Sequence, residues 1–389
     1  MKNIKKIEVK NMSNNRVQNI LSCGQSIWYD NIQRSMIVNG DFERMIAEDG
    51  LRGVTSNPTI FDKAISSSND YDDIIAQGLA KGLDSEAIFW SIAIREIQEA
   101  TDIFKTVYTE TQALDGYVSL EVSPFLARDT QGTIAQAIEI HQKVNRLNLM
   151  VKVPATKEGL PAITELISRG ININVTLVFS ITRYKEVMDA YIAGLEKGIA
   201  AGIDMKSVQC VASFFVSRLD SAVDKLLEAK IAEATTEDEK ARRKELMGKA
   251  AVANSRLAYQ AFLSVFATER FIALQNKGAN VQRPLWASTS TKNPTYRDVT
   301  YIEELIGKHT VNTVPPATLD AFRDHGEAEA RIENDIENSK SVLAELAKLG
   351  IDLAQVTEAL EQAGVESFNQ SFEQLLNHLK EKSDQLAVK

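Results

Sequence analysis

The chain has 389 residues, of which 44% are apolar and 25% charged, and 44 Lys plus Arg against 53 Asp plus Glu leave a net charge of −9. That is ordinary globular composition, long enough to bury a core without metals or disulfides, and it argues against disorder, collagen or a membrane bundle. Nucleic acid as the main partner would need a concentrated cationic face, so an acidic chain that handles an anion must gather its positive charge in one pocket.

In chain order, residues 1–10 are basic, but no apolar run follows them, so they do not read as a secretory signal. Short β-branched runs then begin at residues 26–30 (SIWYD), 53–57 (GVTSN), 117–123 (YVSLEVS) and 149–154 (LMVKVP). Four more follow at 171–179 (ININVTLVF), 208–215 (VQCVASFF), 284–288 (PLWAS) and 310–314 (TVNTV). Apolar residues at three- and four-residue spacing separate most of them, as in residues 133–144 and 184–193. Strands alternating with helices imply parallel βα units, and eight of them close a (β/α)8 TIM barrel. A doubly wound nucleotide-binding sheet would need a Gly-x-Gly-x-x-Gly turn, and neither it nor a phosphate loop with Gly-Lys-Ser/Thr is present.

Residues 218–276 form a helical excess between strands six and seven, with a charged run at 235–249. Flanking acids make Arg242, Arg243 and Lys244 part of a solvated helix face rather than a nucleic-acid patch. Residues 327–382 read as further amphipathic helices. With no repeat and no Pro/Gly/Ser linker, the expected organisation is one domain, 1–389, with the barrel over 20–325 and C-terminal helices at 326–389 packed on it.

No stretch reaches the length of a membrane span, since residues 88–97 are broken by Arg95 and Glu96. Cys23 and Cys210 are too few for a disulfide framework, and Cys23 reads as a plain thiol. His141, His309, His325 and His378 lack metal-ligand spacing. The expectation is a cytoplasmic protein, monomer or homodimer, with no metal, no cofactor, no membrane and no nucleic acid.

Period-two alternation gives each strand a helix-facing and an axis-facing side. Val118, Leu120 and Val122 oppose Ser119, Glu121 and Ser123; Ile171, Ile173, Val175 and Leu177 oppose Asn172, Asn174 and Thr176; Val151 and Val153 oppose Met150 and Lys152. If the apolar sets face helices, Glu121, Lys152, Asn174 and Thr176 point into the barrel, joined by Asp30 and Asn57 at the strand ends. A purely structural barrel fills its axis with Val, Ile and Leu, so a polar cluster near the C-terminal ends of the strands points to a functional site. Lys152 is the sharpest residue of this set. A surface lysine on a strand edge is the plainer reading, but a closed barrel has no open edge. Desolvation favours the neutral amine, which attacks a carbonyl to form a Schiff base. Glu121 fits a general acid/base, or a structural ion pair with Lys152. Asn174-Val175-Thr176 matches a glycosylation sequon only formally, being inside a strand.

Together, Gly53-Val-Thr-Ser-Asn-Pro58, Leu149-Met-Val-Lys-Val-Pro-Ala155 and Ile173-Asn-Val-Thr-Leu-Val-Phe-Ser180 resemble the transaldolase family over roughly residues 20–325. Trp286–Pro294 and the long insert after strand six resemble its longer bacterial and plant-type branch. The resemblance implies transfer of a dihydroxyacetone unit between sugar phosphates in the non-oxidative pentose phosphate pathway. It makes Lys152 the nucleophile, and Glu121 with Thr176 the holders of a water for imine formation. Asp30 would take the proton from the donor's C4 hydroxyl, while Asn57 and Asn174 bind hydroxyls of the three-carbon unit. For the phosphate it points to Ser213 and Arg218 after strand six and to Ser288 and Lys292 after strand seven. The shorter transaldolases carry an arginine near the position where this chain has Lys292. Phe215 stands where the related fructose 6-phosphate aldolases have a tyrosine, and its missing hydroxyl favours transfer over release. Two alternatives stay open: a lyase on the same barrel that frees dihydroxyacetone, and a catalytically silent barrel that binds sugar phosphates.

Overall fold

The computed structural model describes residues 15–387, so the basic residues 1–10 lie outside it. Eight parallel strands close into a barrel in chain order: β1 (Gln25–Tyr29), β2 (Gly53–Thr55), β3 (Tyr117–Glu121), β4 (Leu149–Pro154), β5 (Ile173–Val178), β6 (Cys210–Phe215), β7 (Arg283–Ala287) and β8 (Thr310–Val314). The expected (β/α)8 fold is the observed one. Several predicted runs overshoot their strands at the C-terminal end, because the chain leaves the ladder where its polar residues begin. Asn57 illustrates the change: its side chain accepts the Ile60 N–H at 3.1 Å and caps the Pro58–Ser67 helix, with Pro58 at the first helical position.

Outward residues such as Val118, Leu120, Val151, Val153, Ile173 and Val175 join the large core shared with the surrounding helices. Inside, Trp28, Tyr117, Met150, Val211, Leu285 and Val311 form a second apolar cluster. Gly53 belongs to this filling, because a Cβ there would meet the Trp28 ring at 2.7 Å. At the N-terminal mouth, Arg283 and Asp115 make a buried ion pair of 2.9 Å. Ser26 Oγ and Trp28 Nε1 donate to the same carboxylate at 2.7 and 3.2 Å.

Strand β5 departs from simple alternation. Its pairing with β6 shifts between Val175 and Val178, and Leu177 adopts φ +61°. A left-handed conformation costs a bulky residue ~1–3 kcal/mol. The bulge turns Leu177 from the outward face, where alternation put it, to the inner cluster.

The insert after β6 comprises helices Ser217–Ala232, Glu237–Lys244, Ala250–Phe266 and Glu269–Gln275. Glu237–Lys244 buries no residue and carries acids in its first turn and bases in its last, a solvated helix matched to its own dipole. After β8, the 35-residue helix Leu353–Ala387 packs on the Pro58–Ser67 and Ser85–Glu110 helices and reaches β5. Its Gly364 lies against Leu177, where a Cβ would meet the leucine at 2.9 Å, and Val365 and Phe368 join the inner cluster with Phe179 and Phe215. His378 to Asp62 at 2.6 Å, Arg183 to Glu361 at 3.1 Å and Thr59 to Ser371 at 2.9 Å fix this closing helix over part of the C-terminal mouth. Among the described residues no helix is long and apolar enough to cross a membrane.

Candidate active site

The C-terminal mouth holds a cavity of ≈ 560 Å³ whose lining includes Asp30, Asn57, Lys152, Thr176, Ser213 and Phe215. Arg218, Ser288 and Lys292 line it as well. A larger cavity of ≈ 820 Å³ lies elsewhere, where Arg323 pairs with Asp49, Arg44 with Asp41, and Arg16 donates to the Gly326 carbonyl. The smaller one has the reactive groups.

Lys152 comes off β4 beside Glu121 of β3, the two being register partners. Their side chains are 6% and 5% exposed, with Nζ 3.2 Å from Glu121 Oε2. That contact pairs the charges but lies off the line of a hydrogen bond: Nζ donates instead to the Ser56 carbonyl at 2.9 Å, and Oε2 has no hydrogen-bond partner. Thr176 Oγ1 is likewise buried without a partner. Two such atoms are costly unless something polar completes them. Burial lifts the Glu121 carboxyl above the usual range, and the Lys152 ammonium opposes that rise.

Asp30 sits one residue past β1, partly buried, and Thr55 Oγ1 donates to it at 2.7 Å. Thr55 in turn touches Thr313 Oγ1 at 2.5 Å, so β1, β2 and β8 fix the carboxylate jointly. Desolvation raises its affinity for a proton, opposed by the Thr55 hydrogen bond and by Lys152 and Lys292. Asn57 spends Oδ1 on its helix cap, leaving Nδ2 as the donor for the cavity. Asn174 stands behind the wall: it accepts from Ser213 Oγ at 2.7 Å and donates to Ser119 Oγ at 3.1 Å. Ser213 thus belongs to the barrel interior as well as to the cavity.

On the β6–β7 side Arg218 lies 5.4 Å over the Phe215 ring, which packs on Phe179 at 5.1 Å. Ser288 adopts φ +57°, its hydroxyl 2.9 Å from that of Ser217. Lys292 Nζ donates to Ser290 Oγ at 2.6 Å. Desolvation makes both cations easier to deprotonate than usual, and Arg218 adds to the effect on Lys292.

This lysine–carboxylate floor beneath a cationic rim is where sequence relationships become decisive. The model of the transaldolase/fructose-6-phosphate aldolase family matches residues 27–379. The chain belongs to that family. It is 46% identical over 377 residues to a transaldolase of Trichodesmium erythraeum, covering 96% of this chain and 99% of the relative. A transaldolase of Saccharopolyspora erythraea is 45% identical over 374 residues, covering 96% and 99%. Transaldolase 2 of Nostoc punctiforme is 44% identical over 374 residues, covering 95% and 98%.

Within this family barrel, sequence reasoning missed Thr55, Lys63, Ser290, Thr313 and Phe368 as cavity residues. Thr55 lies inside a motif already singled out, two residues before Asn57, so period-two alternation could have found it. Phe368 carried no such signal, because nothing local says that a helix nearly two hundred residues after β5 returns to its end. Among the described residues no three His, Cys, Asp or Glu side chains gather as a metal site.

Proposed function

We propose that the protein is a Schiff-base transaldolase, moving a dihydroxyacetone unit from sedoheptulose 7-phosphate or fructose 6-phosphate to glyceraldehyde 3-phosphate or erythrose 4-phosphate. The observation that carries this reading is Lys152 Nζ, buried on the cavity floor beside Glu121 with Asp30 on the same wall. Nζ attacks the donor's C2 carbonyl, and the carbinolamine loses its hydroxyl as water. Glu121 and Thr176 offer the two unpartnered oxygens that can hold a water for those proton transfers. Asp30 takes the proton from the C4 hydroxyl as the C3–C4 bond breaks, and the protonated imine accepts the electron pair as an enamine. The aldose phosphate leaves, a second aldehyde enters, and the same steps run in reverse to hydrolysis. Asn57 Nδ2 is the donor to a hydroxyl of the bound three-carbon unit; Asn174, expected from the sequence to share that task, stands behind the wall and acts through the Ser213 hydroxyl it holds. Arg218, Ser288 and Lys292 take the phosphate, the guanidinium through paired hydrogen bonds.

Phe215 brings no hydroxyl to the site, which supports an enamine that waits for an acceptor over one that is protonated and released. The free thiols Cys23 and Cys210 suit the reducing cytoplasm in which we place this reaction.

Borohydride reduction with fructose 6-phosphate, followed by peptide mass analysis, tests the nucleophile. A three-carbon adduct on the Lys152 peptide is expected; an adduct elsewhere, or none, rejects the mechanism. Turnover with and without erythrose 4-phosphate separates transfer from cleavage. Strong dependence on the acceptor is expected, and acceptor-independent release of dihydroxyacetone would establish the lyase instead.

A further inference from the structure

The Pro58–Ser67 helix presents Ile60, Lys63, Ala64 and Ser67 to the active-site cavity, the i, i+3, i+4, i+7 spacing of one helix face. Lys63 is the charged side chain on that face. The helix is fixed by the closing helix, where Asp62 binds His378 and Thr59, at the cavity's edge, binds Ser371. Positions 59, 60, 66 and 67 hold no acid, so Lys63 has no helical ion-pair partner at three- or four-residue spacing. Some exposed lysines are paired in this way, Lys340 with Glu337 and Lys348 with Glu345, each at 2.7 Å.

Charge around the cavity is lopsided. Lys63, Lys152, Arg218 and Lys292 line it, against Asp30 as the one acidic lining residue among those described. Like charges gathered against their mutual repulsion, in a protein of net charge −9, mark the place of an anion. Arg218 and Lys292 follow β6 and β7, whereas Lys63 follows β2, so the cations face each other across the β8–β1 side of the mouth.

We propose that Lys63 is a third cation of the phosphate site, closing it from the β2 side and selecting dianionic phosphorylated sugars over uncharged ones. This rests on the reading of the cavity as a sugar-phosphate site, and it adds a residue that neither the sequence motifs nor the β6–β7 loops point to. As an exposed rim charge, Lys63 acts mainly through long-range attraction, which salt screens.

Two measurements test it on the full chain, with K63M, K63R and, as a control for net charge, K348M. The first is KM for fructose 6-phosphate at 50 mM and 500 mM NaCl, set beside the rate with unphosphorylated dihydroxyacetone as donor. In K63M at low salt KM rises about fivefold to tenfold, kcat stays within about twofold, the dihydroxyacetone reaction is unmoved, and the gap narrows at high salt. K63R restores most of the loss and K348M shows none. The second is calorimetric titration with inorganic phosphate, which needs no turnover and is expected to weaken about fivefold in K63M alone. Equal KM and equal phosphate affinity in K63M and wild type, or the same loss in K348M, overturns the proposal. If the wild type turns over no sugar phosphate, the functional reading falls while the phosphate titration still decides Lys63. A wild type that binds no phosphate overturns the clamp itself.

Discussion

The barrel buries two ion pairs on its axis, one at each end, and they differ in how completely their carboxylates are used. At the N-terminal end Asp115 accepts from Arg283, Ser26 and Trp28, and Arg283 donates further to the Leu114 carbonyl at 2.6 Å. At the C-terminal end Glu121 Oε2 and Lys152 Nζ stand 3.2 Å apart without a hydrogen bond between them, and Thr176 Oγ1 nearby is unpartnered. Both pairs are nearly sealed from solvent. The lower pair has its carboxylate engaged by three donors, although Arg283 Nε is unpartnered, and it lines none of the cavities described above, so it ties strands together. The upper pair keeps polar atoms in reserve and meets a cavity, so it can do chemistry. Neither burial nor an unfilled hydrogen bond alone marks a reactive charge, since Arg283 Nε is unpartnered too; an unpartnered carboxylate beside a cavity-lining lysine does.

Breaking each end in turn should give opposite phenotypes. The largest effect expected is that of Lys152→Met, which removes the proposed nucleophile: turnover falls by at least about 10⁴-fold, equivalent to ~5.5 kcal/mol of barrier, while the fold is retained because the Glu121 carboxyl, already raised by burial, takes up a proton. Initial rates beside circular dichroism check it, and a fully active variant would end the comparison. Arg283→Met at the other end leaves Asp115 buried and uncompensated, so unfolding free energy drops ~3–5 kcal/mol in urea titrations while kcat of the folded fraction holds. Glu121→Gln should keep KM and lower kcat about 10²-fold to 10³-fold, measured in single-turnover imine formation. Arg218→Ala should raise KM for phosphorylated donors about tenfold and leave free dihydroxyacetone unaffected; equal effects on both would discredit the phosphate role.

The smallest change is in pH response. Burial raises the Asp30 carboxyl, and in the proposed mechanism the carboxylate is the form that accepts the C4 proton. Activity therefore falls as pH drops through a folded-state value above the ordinary carboxylate range, and this acid limb disappears in the residual activity of Asp30→Asn. Linkage runs the same way for stability. A raised carboxyl binds its proton more readily folded than unfolded, so its contribution is full below the unfolded value and is lost as pH rises through the folded one. Glu121 has the same direction and adds to this trend.

The upper end was far more legible in the sequence than the lower. Lys152 between Val151 and Val153, and Glu121 between Leu120 and Val122, break apolar alternation, and that contrast is visible in a handful of letters. The eight strands were legible for the same reason. Asp115 lies before β3 and Arg283 opens β7, so their meeting across 168 positions depends on barrel closure and leaves no local trace. Leu177 escaped because a bulge reverses a face without changing composition. Lys63 escaped because a lysine on a helix is ordinarily solvated, and it becomes informative only once the cavity beneath it is known.

The closing helix gives the molecule an order of assembly. Every strand, Lys152 and the proposed phosphate ligands are synthesised before Leu353–Ala387, yet Phe368 of that helix forms part of the cavity wall. Synthesis runs from the N-terminus, so the wall that Phe368 completes is finished only after every strand has been made. The site is roofed only by the last helix described.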